Sequence, residues 1–129
     1  MKRSLAGLLA VLLGANGVVM MFDGLWWYGV VPGVVTTGPY NPHFVKDIGA
    51  IYLVCAGALA WRAWKPEAGQ GAMAAAAAFL LLHAGIHVAD AAVCGNAAGA
   101  LVRDLPGIFI PALLVAWLAL PQRPSIARA

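Results

Sequence analysis

The residues most able to do chemistry in this chain are three histidines and the aspartates spaced around them. His83, His87 and Asp90 stand at i, i+4 and i+7 in the run His83-Ala-Gly-Ile-His87-Val-Ala-Asp90. At 3.6 residues per turn they fall within about 60° of one another, so a helix would carry them as one polar stripe about 10 Å long. His43 and Asp47, at i and i+4, form a second short stripe. If the two helices run antiparallel, His43 comes level with Asp90, and Asp47 lies level with His87 one turn deeper. Imidazoles and carboxylates are the donors that suit zinc, iron, manganese or copper. A transition-metal site built from His43, Asp47, His83, His87 and Asp90 is therefore the leading expectation, with the metal as Lewis acid and Asp47 or Asp90 as a base if a reaction occurs there. The zinc-protease pattern His-Glu-x-x-His is absent, because Ala84 follows His83.

The same side chains have plainer uses. His83, His87, Asp90, Asp47 and Lys46 could satisfy one another as a hydrogen-bonded ion-pair network without a metal, or lie along a proton or ion path. Haem is a further alternative: His83 and His87 share one face and cannot ligate opposite sides of one ring, whereas His43 with His87 could. Asn16 is polar at membrane depth, and a single interhelical hydrogen bond explains it better than support of His83. Met20 and Met21 point in different directions and read as packing. Cys55 and Cys94 fall at different depths on successive helices, so they read as unpaired thiols.

The elements that position these groups follow from composition. The 129 residues are 63% hydrophobic and 10% charged, with a mean hydropathy of +0.85. That is more apolar surface than one aqueous core of this size can hide. A membrane span takes about 20 apolar residues, so the chain holds four, at about 4–22, 43–61, 72–93 and 105–120, and no separate soluble domain. The apolar run after Lys2 and Arg3 continues to Phe22, longer than a signal peptide needs, and reads as a retained first helix. The expectation is a single all-α domain, a four-helix transmembrane bundle whose lipid partner is a bacterial-type inner membrane.

The net charge of +3 does not point to nucleic acid, because the basic residues are scattered over segment ends rather than gathered in a stripe. Lys2, Arg3, Arg62, Lys65, Arg123 and Arg128 fall on one side of the four-span arrangement, Lys46 and Arg103 on the other. The excess marks the cytoplasmic side and puts both termini inside. Trp26, Trp27 and Tyr28 at one interface, and Trp61, Trp64 and Trp117 near the other, fit headgroup belts. Asn41 followed by Pro42 predicts a sharp start to the second span. Asp104 is expected to cap the fourth, which Pro111 should bend. Gly14, Gly17, Gly49, Gly57 and Ala74 to Ala78 allow close helix approach.

The connection 23–42 is long for antiparallel helices and carries several turn signals, so it reads as a lid over the polar cluster. Trp27-Tyr28, Val31-Pro32-Gly33-Val34, Thr37-Gly38-Pro39, Asn41 and His43-Phe44-Val45-Lys46-Asp47-Ile48-Gly49, with Tyr52 following, make up a segment that resembles one in a family of small bacterial four-helix membrane proteins. The resemblance covers roughly a quarter of the chain and implies the four-helix architecture, with no activity attached. Two other function classes stay open. One is a noncatalytic accessory subunit packed against a larger membrane complex, and the other is a transporter, which four short helices would build only as a homo-oligomer.

Overall fold

The computed structural model describes residues 1–120, and among these every regular element is helical. Helix α1 spans Lys2–Phe22, and a short α2, Gly24–Val30, follows it. A single 3-10 turn at Val34–Thr36 leads into α3, Pro42–Trp64. Helix α4 spans Gln70–Val93. The last span is composite: α5, Ala97–Asp104, runs through a π turn at Leu105–Phe109 into α6, Ile110–Ala119. Four segments are long and apolar enough to cross a membrane, namely α1, α3, α4 and the continuous Ala97–Ala119.

Local chemistry sets these boundaries. The Asn41 side chain accepts the amide hydrogens of His43 and Phe44, each at 3.1 Å, and Pro42 occupies the first turn, as the sequence leads one to expect. The fourth span begins eight residues before the expected Leu105. Its N-cap is Asn96, whose side chain accepts from Gly99 N at 3.1 Å, and Asp104 caps nothing. Pro111 lacks an amide hydrogen, and its ring would press on the carbonyl four residues back. The helix widens into the π turn just before it, which takes up that conflict.

Helix α1 packs along α3 and α4 packs against α6, with α3 and α4 joining the two pairs. Met20, Leu59, Met73 and Val115 are the largest fully buried side chains. Met20 is thus core, as its position suggests. The outward faces carry Leu8, Val11, Leu12, Val54, Leu82, Ile86 and Leu113 in the open. A helix apolar all round needs lipid or protein on that face. The α1–α3 crossing is as close as backbones allow: a Cβ on Gly17 would stand 2.8 Å from the Gly49 carbonyl oxygen, and one on Gly49 would stand 2.9 Å from Met20 Cβ.

The bundle has two chemically different ends. One carries the 23–41 connection. The other brings together the first residues of α1, the turn 65–69 and the end of α6, where Gln70 Nε2 donates to the Ala119 carbonyl and Lys2 Nζ lies 4.5 Å from the Trp117 ring centre. Cys55 is buried and Cys94 exposed, both unpaired. Arg123 and Arg128, counted in the charge asymmetry, lie outside the described residues.

Candidate functional site

The polar cluster of the long-loop end is built on α4 and α5. His83 and His87, one turn apart on α4, have ring centres 4.9 Å apart at an interplanar angle of 75°. Phe79, a turn further along, stacks on His83 at 6.0 Å and 8°, and Tyr52 of α3 meets His83 edge-on at 6.2 Å. The sequence stripe is therefore real as far as the two imidazoles, and aromatic rings from two helices fix the orientation of the inner one.

The carboxylate that meets them is Asp104. His87 Nδ1 lies 2.7 Å from Asp104 Oδ2. Arg103 Nε donates to Asp104 Oδ1 at 2.7 Å, and its Nη2 donates to Oδ2 at 3.1 Å. Asp104 is buried, with 7% of its surface exposed. A buried carboxylate is tolerable only when neutralised and hydrogen-bonded. Here the adjacent guanidinium supplies the charge and the imidazole fills the remaining acceptor position. Because the carboxylate can only accept, Nδ1 is the donor, and a neutral His87 ring would keep its Nε2 lone pair free.

The other expected ligands do not join this group. His43 pairs with Asp47 at 3.5 Å, with side chains 89% and 59% exposed, which makes it a solvated i, i+4 contact of little energetic weight. Asp90 is exposed as well. Among the described residues no three His, Cys, Asp or Glu side chains are placed to share a metal ion, so the five-residue convergence is not found. Asp90 follows His87 by three residues, which turns it about 60° around the helix from that imidazole, and the helix wall facing His87 is α5 rather than the start of α3.

Arg103 and Asp104 are the functional residues missed by the sequence reading. Two consecutive charges before a proline look like a loop and a cap, yet each could have been flagged as an ionisable residue at the edge of an apolar run.

The 23–41 connection covers this cluster by its backbone rather than by its aromatic rings. Gly33 has a φ of 87°, and any Cβ there would collide with the Arg103 guanidinium. The φ selects glycine, while the guanidinium, as the far end of a flexible side chain, could turn aside. The loop is held in shape by Tyr28, whose hydroxyl donates to the Gly38 carbonyl, and by Thr36 and Thr37, whose hydroxyls donate to Gly33 and Val34 carbonyls at 2.6 and 2.7 Å. Trp27 turns inward, out of the belt expected for it, and its Nε1 donates to Asn16 Oδ1 at 2.9 Å. Asn16 is thus the anchor of α2 on α1. Trp27→Phe, which deletes that donor together with part of the ring packed on the core, should cost at least about 0.6 kcal/mol, the usual worth of a side-chain hydrogen bond within a membrane bundle. Amide exchange over residues 24–30 is the readout. Exchange there equal to that of wild type would mean the bond does not hold the loop.

Compared with protein-family models, with curated proteins and with solved structures, the chain finds no match.

Proposed function

We propose that the chain is a multi-pass protein of a bacterial-type inner membrane, with both termini in the cytoplasm, that binds a transition metal ion exchangeably at the His83 and His87 imidazoles. The orientation is supported by Lys2, Arg3, Arg62 and Lys65 being the basic residues of the terminal end. The metal reading is carried by one observation, the 2.7 Å contact of His87 Nδ1 with Asp104. A carboxylate on one ring nitrogen is the partner that fixes the tautomer of a metal-binding histidine and raises its basicity. It leaves Nε2 to bind, beside a second imidazole one helical turn away. Two protein ligands are fewer than structural zinc sites use. Water or an incoming ligand would complete the coordination, so the ion would exchange. Imidazole donors favour zinc or copper.

The test is metal content. Full-length protein incubated with Zn²⁺ or Cu⁺ and freed of excess should retain about one ion per chain by elemental mass spectrometry. His83→Ala and His87→Ala should each abolish retention, and Asp104→Asn should weaken it about 10–100-fold. Wild-type protein that retains no ion of either kind would overturn the proposal.

The completeness of the network favours one alternative. Both Asp104 oxygens are engaged, which is what a purely structural lock between α4 and α5 requires. The chain would then be a noncatalytic accessory subunit, free of metal and copurifying with a larger membrane complex in mild detergent. Haem ligation by His43 and His87 has less support, since the His43 side chain is 89% exposed and stands outside the cluster around His87.

A further inference from the structure

The terminal end of the bundle holds a buried cation with no counter-charge among the described residues. Arg62, in the last turn of α3, is 7% exposed, and its Nε has no hydrogen-bond partner among the described residues. Gly69 packs on its main chain: a Cβ there would stand 2.7 Å from Arg62 Cα and N, so the turn after α3 folds back against the end of that helix. A small pocket lies beside it, lined by Lys2, Arg3, Ala6, Arg62, Met73 and Leu118. The three charged residues that border it are all cationic and line it mainly with their aliphatic stems.

An isolated charge in apolar surroundings is costly, and one near a membrane is retained where it meets an opposite charge. No side chain among the described residues pairs with it. The ion pairs among the described residues involve Asp47 and Asp104, neither of which meets Arg62. Glu67 is exposed and makes no such pair, and residues 121–129 contain no Asp or Glu. The neighbouring cations are only partly occupied. Arg3 donates from Nε and Nη2 to the carbonyls of Ala63 and Trp64, at 2.9 and 2.8 Å, and Lys2 rests over Trp117. Trp117 and Trp64, with 47% and 73% exposure, mark the level of the headgroups. The anion abundant at that level is lipid phosphate.

We propose that the pocket between Lys2, Arg3 and Arg62 binds the phosphate of an anionic phospholipid. The pocket offers about 10 Å³, room for a single oxygen. One phosphate oxygen would enter to meet Arg62 Nε, while the rest of the phosphate stays at the mouth against Lys2 and the remaining Arg3 donors. Since no carboxylate is among the residues that line the pocket, a lipid of net negative charge is preferred to a zwitterionic one. The site lies at the opposite end from His83 and His87 and stands or falls independently of metal binding.

Native mass spectrometry of the full chain, released in neutral detergent and exposed to equal amounts of phosphatidylglycerol and phosphatidylcholine, tests this. One phosphatidylglycerol should be retained per chain at least about tenfold more often than phosphatidylcholine, from about 1 kcal/mol per basic group. Arg62→Gln should remove that preference. The Lys2→Gln/Arg3→Gln double variant should weaken it severalfold, and decides the matter if Arg62→Gln does not fold. Phosphatidylglycerol should also raise the melting temperature of the wild type and leave that of Arg62→Gln unchanged. Equal retention of the two lipids, or an undiminished preference in Arg62→Gln, would refute the proposal. So would an equal thermal shift from inorganic phosphate alone, which would assign the pocket to free phosphate. No shift from either would leave it a water site and refute the proposal too.

Discussion

Replacing Asp104 with Ala should destabilise the bundle by about 3 kcal/mol, the lower end of the range for breaking a buried ion pair. The loss has two parts. Arg103 keeps its charge but loses its only carboxylate, and His87 keeps an Nδ1 proton with no acceptor. The cost stays near the lower end because the Arg103 side chain is 37% exposed and can turn toward water. The measurement is unfolding of metal-free protein by denaturing detergent, followed by helical circular dichroism. Removing the stranded charge as well, in Arg103→Leu/Asp104→Leu, should recover most of the stability, since an apolar pair of similar volume often replaces a buried ion pair at little cost. If Asp104→Ala unfolds at the same point as the wild type, the network is not what fastens α4 to α5. If the double variant is worse than the single one, the cost is lost packing rather than stranded charge.

The second large effect lies at the α1–α3 crossing. Gly49→Ala should cost about 1–3 kcal/mol, the usual penalty of overpacking a tight contact, and Gly49→Leu should prevent the normal bundle from forming. The new Cβ meets Met20 Cβ at 2.9 Å and the Gly17 carbonyl oxygen at 3.1 Å. A backbone oxygen cannot turn aside as the tip of a side chain can, so the helices must separate. Separation forfeits the dispersion contacts that hold apolar helices together in lipid, where burial against hydrocarbon gives no driving force of its own. Gly57 is the control. It sits on α3 with nothing near its Cβ position, so Gly57→Ala should be neutral or add up to about 1 kcal/mol through helix propensity. Equal unfolding midpoints for Gly49→Ala and Gly57→Ala would show that the crossing tolerates a wider spacing.

These two sites differ in how they bear on chemistry. The Gly17–Gly49 contact sets the spacing of α1 and α3, and through Asn16 and Trp27 it also governs how α2 and the covering loop sit. Asp104 acts directly on the imidazole proposed to bind metal. Gly49→Ala should therefore lower stability with only a minor effect on metal retention, whereas Asp104→Asn should lower both.

The number of spans, the sharp start of α3 at Asn41 and Pro42, and the burial of Met20 all follow from the sequence by itself. Each depends on interactions a few residues in range: hydropathy summed over about 20 residues, a side chain bonding to amides just ahead of it, an apolar residue in an apolar stripe. His83 and His87 are neighbours for the same reason, since one helical turn is a local distance. Which carboxylate they meet is not local. Asp90 and Asp47 have the right spacing within their own helices, but a helix's rotation about its axis and the identity of its neighbour are settled only when four helices pack. That packing turns His87 toward α5 and leaves Asp90 exposed. It also makes Arg103 and Asp104 part of a helix that begins at Ala97, because a charge pair that looks too polar for a span becomes acceptable once each charge neutralises the other and an imidazole completes the acceptor set. Arg62 is the converse case. Its position near the end of a span reads as an ordinary charge at the membrane surface, and only the packing of the bundle leaves it buried with an unpartnered Nε.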